Sequence, residues 1–486
     1  MSSIDLGIGS TATFIHLIPE IFLGLLGFAI LWTGVRHIGE KAISWTTFAG
    51  LGIAAILVFL LDPSSGSAYS GVMVFNNFGK YFAIIMLISS MFICYPFSTK
   101  NYPKSEIFYS TLLFLNVGMV VAAFSYNLIA LFIAFESVSI GTYVLSSFGK
   151  TRRNLEASIK YFFTGTIATA FILFGASFYY MGTGTFSISS SALSHVTGSP
   201  EITLALAFLI IGFGFKLALF PFHQWALDTY DGTENSVSAF LAAGSKILAF
   251  MVILKVFLSG FSFDHTAVFY LFVILSIITM TYGNISALSQ SNLKRILSYS
   301  SIAQAGYLVL VLAVVAGSSK PTSTVAEFAI AAGMFYSLVY IFMKGGAFIT
   351  MNAVPKDNVE LEDVSGLGKR SPATAVSLSV IMLALAGIPL TGGFLAKYYL
   401  FLALIEGSLW WLAVIAILNS AISVFYYFRV ITYMFARDPA EGESAVPYSA
   451  KAPVVAAAVI TVALFFIGII ASFMPTLISA AGGIFG

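Results

Sequence analysis

Charged residues are scarce in this chain. Aspartate, glutamate, lysine and arginine make up 9% of its 486 residues, whereas hydrophobic residues make up 59%. A soluble domain carries about 25% charged residues and cannot hide apolar surface on this scale. The net charge of +2 is too small to indicate a nucleic acid as a partner. The composition therefore excludes a soluble protein and indicates one that lies in a lipid bilayer.

Residues and motifs that bind metals or nucleotides are also nearly absent. The single cysteine, Cys94, excludes an internal disulfide, an iron–sulfur cluster and a cysteine-based zinc site. The histidines are scattered and form no HExxH or similar ligand spacing, and there is no Walker, haem or flavin signature. We therefore expect no cofactor and no metal on this chain. The energy for any ion movement should come from an ion gradient or a redox partner.

Apolar stretches long enough to cross a membrane recur along the whole chain. A helix needs about 20 apolar residues to span a hydrocarbon core, and the sequence predicts an all-α polytopic membrane protein with about fourteen transmembrane helices. The residues from Met1 to Ala12 lack the basic region of a signal peptide. The predicted spans lie near residues 13–34, 43–61, 77–96, 106–124, 126–147, 155–181, 202–228, 233–258, 265–285, 293–316, 323–353, 373–405, 408–436 and 451–475.

Basic residues mark alternate loops, as is typical of cytoplasmic loops. The loops rich in lysine and arginine hold Arg36, Lys41, Lys100, Lys104, Lys150, Arg152, Arg153, Lys294, Arg295, Lys356, Lys369, Arg370, Arg437 and Lys451. The opposite loops hold almost none, and Lys255 and Lys320 are their expected members. This pattern predicts that both termini lie on the outer side of the cytoplasmic (inner) membrane of a prokaryote, or of an equivalent energy-coupling membrane.

Two of the longest apolar stretches carry a proline near the middle. Pro221 follows Lys216 in the seventh span, and Pro389 precedes Lys397 in the twelfth. Proline removes a backbone donor and clashes with the preceding turn, so each helix should kink or break there. A single kink would be ordinary packing. Two interrupted helices, each close to a lysine, favour a transport site.

Several charged residues remain inside the predicted spans. A charge at the centre of a lone helix costs roughly 2.5–3.5 kcal/mol, so such residues must face a bundle interior or water. Lys80 and Arg429 lie near span ends, where long side chains can reach the interface. Lys160 and Lys344 fit either interpretation. The residues that lie well inside their spans are Glu136, Lys216, Lys246 and Lys397.

The chemistry that these residues permit is proton transfer. In general, burial lowers the pKa of a lysine and a nearby carboxylate raises it, so a pair whose separation changes can take up and release a proton. We expect Glu136 and Lys216 to form such a pair, Lys246 to be the central relay and Lys397 the terminal partner. Interleaved hydroxyl residues could hold a chain of water. The alternative is a set of buried ion pairs that fix helix register, but the buried lysines outnumber the carboxylates.

At these residues the sequence resembles the antiporter-like subunits of respiratory complex I and its relatives, most closely the subunit N type. The resemblance covers nearly the whole chain. In this family Glu136, Lys216, Lys246 and Lys397 fall on the residues of the proton relay, and Lys160, Lys344 and Lys294 complete the candidate set. The stretches that carry the resemblance are Phe132 to Glu136, Lys160 to Phe163, Lys216 to Trp225, Leu293 to Ala303 and Gly387 to Phe394.

The resemblance implies an architecture and a set of partners. Residues 106–258 and 259–436 are implied to form two inverted repeats of about five helices each, between N-terminal helices at 1–105 and a last helix at 437–486. The chain is implied to be the proton-translocating, non-redox subunit of a dehydrogenase that reduces a quinone or quinone-like carrier. Other membrane subunits should adjoin it, and partner subunits should carry iron–sulfur clusters and a flavin or deazaflavin site. The donor (NADH, reduced F(420) or ferredoxin) and the acceptor (a quinone or methanophenazine) stay open.

Three features of the sequence depart from the family pattern. Leu227 and the Thr233-Glu234 pair replace expected prolines, and Gln304 stands where many relatives have a histidine, which weakens the central relay or passes it through water. A core subunit of a cation/proton antiporter is the main alternative, although the segment from Asp228 to Gly232 favours the N type. A solute symporter should contain few buried lysines. A structural scaffold should keep pumping after Lys216→Ala or Lys397→Ala.

Overall fold

The structure is a computed structural model that describes residues 14–36, 38–63, 66–94, 104–188, 199–259, 261, 265–318, 323–354, 359–438 and 448–485. The predicted loop positions of Lys100, Lys320 and Lys356, and the first residues from Met1 to Ala12, lie outside the described residues. Nearly all of the described regular structure is helical, as the sequence predicts.

The chain folds into helices that follow one another with short connections. The N-terminal part contains α1 (Ile18–Thr33), α2 (Glu40–Leu60), the antiparallel hairpin β1 (Gly66–Ala68) and β2 (Met73–Phe75), α3 (Asn77–Cys94), α4 (Ser105–Phe124), α5 (Leu128–Ser146), α6 (Arg152–Thr183), α7 (Pro200–Leu217), α8 (Gln224–Gly232) and α9 (Asn235–Phe240). The rest contains α10 (Lys246–Ser259), α11 (His265–Leu288), α12 (Leu293–Gly317), α13 (Thr324–Thr350), α14 (Leu367–Arg370), α15 (Pro372–Ala386), α16 (Gly392–Glu406), α17 (Trp410–Ala436), α18 (Tyr448–Gly468) and α19 (Phe473–Gly482).

Each predicted span coincides with a helix or with a pair of consecutive helices. Among the described residues, 11 helices are long and apolar enough to cross a membrane. The shorter apolar helices include α1, α15 and α19, and residues 77–92 of α3. The all-α membrane architecture is therefore confirmed, whereas the count of about fourteen crossings stays a prediction.

Side-chain caps explain where several helices begin. Asn292 accepts a hydrogen bond from the Arg295 amide at the start of α12, and Ser323 accepts one from the Ala326 amide at the start of α13. Such caps satisfy backbone donors that a helix start leaves unpaired. Because serine and asparagine stand directly before apolar runs, these boundaries are local properties of the sequence.

The two predicted breaks are present in the structure. α7 ends at Leu217, and Ala218 adopts a left-handed conformation with φ 60° before α8 begins. α15 ends at Ala386, and Gly387 turns the chain with φ 86°. Because Pro389 has no backbone N–H, the carbonyl of Leu385 loses the donor that a continuous helix would supply. The breaks therefore leave polar backbone atoms inside the helical bundle.

The centre and the periphery of the bundle differ in burial. Every residue of α10 is buried, and so are nearly all residues of α12. A π-helical turn at Leu241–Ser245 precedes α10, which the sequence does not predict. By contrast, α6 and α17 expose large apolar side chains along one face. The lysines of α10 consequently lie in the interior of the protein and away from its lipid-facing surface.

Two expectations about lysine positions are wrong. Lys255 was expected in an outer loop, but it lies inside α10 and is fully buried. Lys294 was expected in a cytoplasmic loop, but it lies in the first turn of α12 and is 3% exposed. Both lysines find backbone carbonyls as hydrogen-bond acceptors, and this compensates for the water that they lose.

The two halves of the second broken span pack in direct contact at Gly393. A Cβ added at Gly393 would overlap the carbonyl of Ala384 at the end of α15. We expect Gly393→Ala to lower the free energy of unfolding by about 1–3 kcal/mol, because a crowded core must shift to admit a methyl group. The measurement is the thermal unfolding midpoint of the purified assembly. Gly24→Ala is the matched control, since nothing lies within 4 Å of its Cβ position; equal midpoints for the two variants would contradict this packing.

Candidate functional site

Lys216 ends α7 at the first break and lies in a cage of hydroxyl groups. Its Nζ donates to Tyr161 Oη at 2.6 Å, to Thr142 Oγ1 at 3.3 Å and to Ser139 Oγ at 3.4 Å. The ammonium also lies 5.5 Å from the ring centroid of Tyr143. Since its side chain is buried, these neutral groups replace the water shell that the charge would have in solution.

Glu136 lies half-buried on α5, one turn before Ser139. Its carboxyl group is close enough to Lys216 of α7 to interact electrostatically, and it lies near Thr169 of α6. Among the described side chains, the hydrogen bonds of Lys216 go to hydroxyls rather than to Glu136. The predicted pair is thus close enough for electrostatic interaction but is not a closed ion pair in this conformation.

Two central lysines, Lys246 and Lys344, donate hydrogen bonds to the same helix, α12. Lys246 Nζ donates to the carbonyl of Ser301 at 2.7 Å, and Lys344 Nζ donates to Ser300 Oγ at 2.7 Å. The two lysines are close enough to interact electrostatically. Their partners are consecutive residues of α12, so this helix brings together a lysine from α10 and a lysine from α13.

Tyrosine hydroxyls extend this central group. Tyr340 Oη lies 2.8 Å from Ser301 Oγ, and Tyr427 of α17 shares a hydrogen bond with Ser300 Oγ. Tyr336, one turn before Tyr340 on α13, donates to Gln304 Oε1. Serine and tyrosine hydroxyls both donate and accept hydrogen bonds, so the group can reorient its hydrogen bonds.

Lys397 lies at the second break and uses the carbonyls that the break frees. Its Nζ donates to the carbonyls of Leu385 and Ala386 at 3.0 Å each and to Ser420 Oγ at 2.9 Å. Gln304 Nε2 donates to the same Leu385 carbonyl at 3.2 Å. Lys397 and Gln304 therefore share one backbone acceptor, and Gln304 also accepts a hydrogen bond from Tyr336 of α13.

Two candidates lie apart from the buried series. Lys160 is half-exposed and forms ion pairs with Glu156 at 2.9 Å and Asp228 at 3.3 Å. Lys294 donates to the carbonyl of Thr233 at 2.8 Å. Asp231, which pairs with arginines of α6 and α12, belongs to the same charged region at the start of these helices. Lys160 is therefore a surface group of this conformation, although it falls on a family lysine.

Several polar residues of the site escape sequence reasoning. Tyr161, Tyr336, Tyr340 and Tyr427 are fully buried and touch the lysines or their partners. The spacing of Tyr336, Tyr340 and Lys344 places them on one face of a helix, and this signal could have found two of them. Tyr427 belongs to α17 and has no such signal in the sequence.

Lys255 is a buried lysine with a different environment. Its Nζ donates to the carbonyls of Ala122, Ala123 and Ser125 at 2.9, 2.5 and 3.1 Å and lies 4.7 Å from the ring centroid of Tyr126. These carbonyls close the C-terminal end of α4, where a helix carries partial negative charge. Lys255 therefore caps α4.

We expect Lys255→Met to lower the free energy of unfolding by about 1–3 kcal/mol, because it leaves buried carbonyls without donors. The thermal unfolding midpoint of the assembly should fall, while the proton translocation rate per folded complex stays unchanged. A variant of full stability with impaired translocation would show that Lys255 belongs to the proton path.

Metal binding is a further possibility to test at this site. Within the described part of the chain, no cluster of three or more histidine, cysteine, aspartate or glutamate side chains could hold a metal ion. What the site can do is hold protons: buried ammonium groups face hydroxyl and carbonyl oxygens that change partners easily.

Comparison with known proteins places the chain in a family. Residues 125–423 match the family model described as NADH:quinone oxidoreductase/Mrp antiporter, transmembrane. The chain is 38% identical to F(420)H(2) dehydrogenase subunit N of Methanosarcina mazei, with 93% of this chain and 95% of the relative covered. It is 30% identical, with a TM-score of 0.81, to a chain of respiratory complex I from Thermus thermophilus, covering 95% of this chain and 100% of that one.

A further structural similarity concerns the fold alone. A chain of the Mrp complex from a Dietzia species superposes with a TM-score of 0.78 over 97% of this chain and 96% of that one, at 20% identity. The family match covers both broken spans and all of the buried lysines described above. The chain therefore belongs to the NADH:quinone oxidoreductase/Mrp antiporter family of membrane subunits.

Proposed function

We propose that this chain is the proton-translocating membrane subunit of a complex I-like dehydrogenase that reduces a quinone or quinone-like carrier. It carries no redox centre of its own, so electron transfer in partner subunits drives the proton movement. The chain thus acts as a translocase subunit of an oxidoreductase.

The observation that carries the proposal is the series of buried lysines joined by neutral oxygens. Lys216, Lys246, Lys344 and Lys397 are each at most 4% exposed. Each donates to a hydroxyl or a backbone carbonyl. An intramembrane ionisable residue is by default functional, and a rigid scaffold would pair such charges with carboxylates.

The proposed order runs between the two breaks. Glu136 and Lys216 form the first step, in which a change in their separation alters how firmly Lys216 holds a proton. Lys246 and Lys344 follow, and both donate hydrogen bonds to residues of α12. Gln304 and the Leu385 carbonyl then lead to Lys397, whose break provides flexible backbone at the end of the path.

Gln304 passes protons differently from a histidine. An amide does not take up and release protons at ordinary pH, but it donates and accepts hydrogen bonds. Tyr336 donates to its oxygen, and its nitrogen donates to the Leu385 carbonyl. We propose that water, ordered by Gln304 and the hydroxyl of Tyr336, completes this step.

The relatives and the distribution of basic residues support the following proposed setting. The chain lies in the cytoplasmic membrane of a prokaryote with both termini on the outer side, next to other membrane subunits. Iron–sulfur clusters and a flavin or deazaflavin belong to partner subunits. Residues 106–258 and 259–436 are the proposed inverted repeats, and each contains one of the broken spans.

The second candidate function is a subunit of a cation/proton antiporter, because the matched family includes Mrp antiporters. Similarity to the dehydrogenase relatives is higher, at 38% and 30% identity against 20% for the Mrp chain. Isolation of the chain from its native membrane distinguishes the two. We expect iron–sulfur and cofactor-reducing subunits to accompany it; isolation with antiporter subunits alone would overturn the proposal.

The activity itself is tested in vesicles. The purified assembly, reconstituted with a quinone or methanophenazine, should acidify the vesicle interior when its electron donor is added. The acidification should vanish with an uncoupler while electron transfer continues. Electron transfer without any proton movement in sealed vesicles would contradict the proposal.

A further inference from the structure

A carboxyl group outside the lysine series is buried without a partner. Glu20 lies in the first turn of α1 and is 6% exposed. Neither of its side-chain oxygens, Oε1 nor Oε2, has a hydrogen-bond partner among the described residues. Burial of an ionised carboxylate under these conditions costs far more than burial of the neutral acid. The burial of Glu20 and its lack of a hydrogen-bond partner therefore favour the protonated, neutral form of its carboxyl group.

Glu20 differs in this respect from the buried lysines and from Asp363. Lys255, at the same end of the bundle, has three carbonyl acceptors. The lysines of the proposed relay each have at least one acceptor. Asp363, a buried carboxylate near α14, accepts from the Glu360 amide. A fixed charge is stabilised by such partners, and Glu20 has none in the described part of the chain.

The surroundings of Glu20 provide one polar neighbour. Tyr69, in the turn between β1 and β2, is close enough to interact electrostatically with the carboxyl group and is itself half-buried. His16 lies one turn earlier along the chain, and its ring packs against that of Phe75 of β2, with the centroids 4.5 Å apart and the planes tilted by 41°. Tyr69 of this hairpin is thus a polar neighbour of Glu20 and is itself partly exposed.

We propose that Glu20 is a second proton-binding carboxyl group of this subunit, which exchanges its proton with the outer aqueous phase past Tyr69. Its ligand is a proton. The assignment to the outer side rests on the proposed membrane orientation, because α1 runs from Glu20 towards the basic residues Arg36 and Lys41. The site lies outside both repeats and has no hydrogen bond to the lysine series, so it binds its proton independently.

Infrared spectroscopy of the intact complex in its membrane tests the proposal. A protonated carboxyl group in apolar surroundings gives its own carbonyl band, which an ionised carboxylate lacks. We expect Glu20→Gln to remove one such band and Glu20→Asp to shift it. Glu406→Gln is the matched control: Glu406 is exposed at the end of α16, so its replacement should remove no such band. Loss of no band in Glu20→Gln would overturn the proposal.

Exchange with deuterated water tests the route. The Glu20 band should shift when the membranes are transferred to deuterated buffer, and Tyr69→Phe should slow the shift several-fold. A band that never shifts would overturn the exchange with the aqueous phase.

The same membranes separate this proposal from the proposed function. If Glu20→Gln removes no band while Lys246→Met abolishes pumping, only the Glu20 proposal fails. If the band is lost while Lys246→Met pumps normally, only the proposed relay fails.

Discussion

Replacement of Lys246 by methionine is expected to reduce redox-driven proton translocation by about tenfold or more. Methionine has a similar length and an apolar character, so the packing of α10 is retained. It has no proton to carry, and the Ser301 carbonyl loses its lysine donor. The measurement is the initial rate of vesicle acidification, normalised to the amount of assembled complex.

Lys255→Met is the matched control for this experiment. Lys246 and Lys255 belong to the same helix, and both are 0% exposed. Loss of a buried ammonium is therefore common to the two variants, but only Lys246 contacts the hydroxyl-rich face of α12. Equal losses of translocation per assembled complex in the two variants would contradict a role in the relay that distinguishes Lys246 from Lys255.

Replacement of Lys397 by arginine is expected to impair translocation strongly while the protein stays folded. An arginine can still donate to the carbonyls of Leu385 and Ala386, but a guanidinium group does not release its proton. We expect the translocation rate to fall by about tenfold or more. The thermal unfolding midpoint should stay closer to the unmodified protein than that of Lys397→Met, which leaves these carbonyls unpaired.

The Lys397 experiment has one control variant and one outcome that would contradict it. Lys369→Arg is the control, because Lys369 is exposed and pairs with Asp438 at 2.6 Å; this variant should translocate normally. Normal translocation by Lys397→Arg would instead show that Lys397 is a fixed charge that closes the broken helix.

The partners of the buried lysines illustrate what sequence reasoning cannot reach. Lys246 and Lys255 look alike in the sequence, since both stand in one apolar run. In the structure one contacts α12 and the other caps α4. The difference depends on which helices pack around α10, and packing depends on residues that are far apart along the chain. The sequence therefore predicts one of them as functional and wrongly assigns the other to a loop.

Gln304 is a second residue whose contacts could not be inferred from the sequence. Its residue type is visible as a departure from the family pattern, and by itself it suggests only a weakened relay. The structure adds that its amide and Lys397 share the Leu385 carbonyl and that Tyr336 donates to its oxygen. These contacts join α12, α13 and the broken end of α15, and no local pattern encodes such a junction.

The sequence by itself determined the medium, the helices, the two breaks and the family. These features follow from apolar run length, from proline chemistry and from motifs, which are properties of neighbouring residues. Only the tertiary structure decided which oxygen faces each buried charge: hydroxyls around Lys216, freed carbonyls around Lys397 and a helix end around Lys255. It also leaves the Glu20 carboxyl group without a hydrogen-bond partner among the described residues. The reason is physical, because the cost of a buried charge depends on the few atoms within hydrogen-bonding distance, and those atoms come from distant helices.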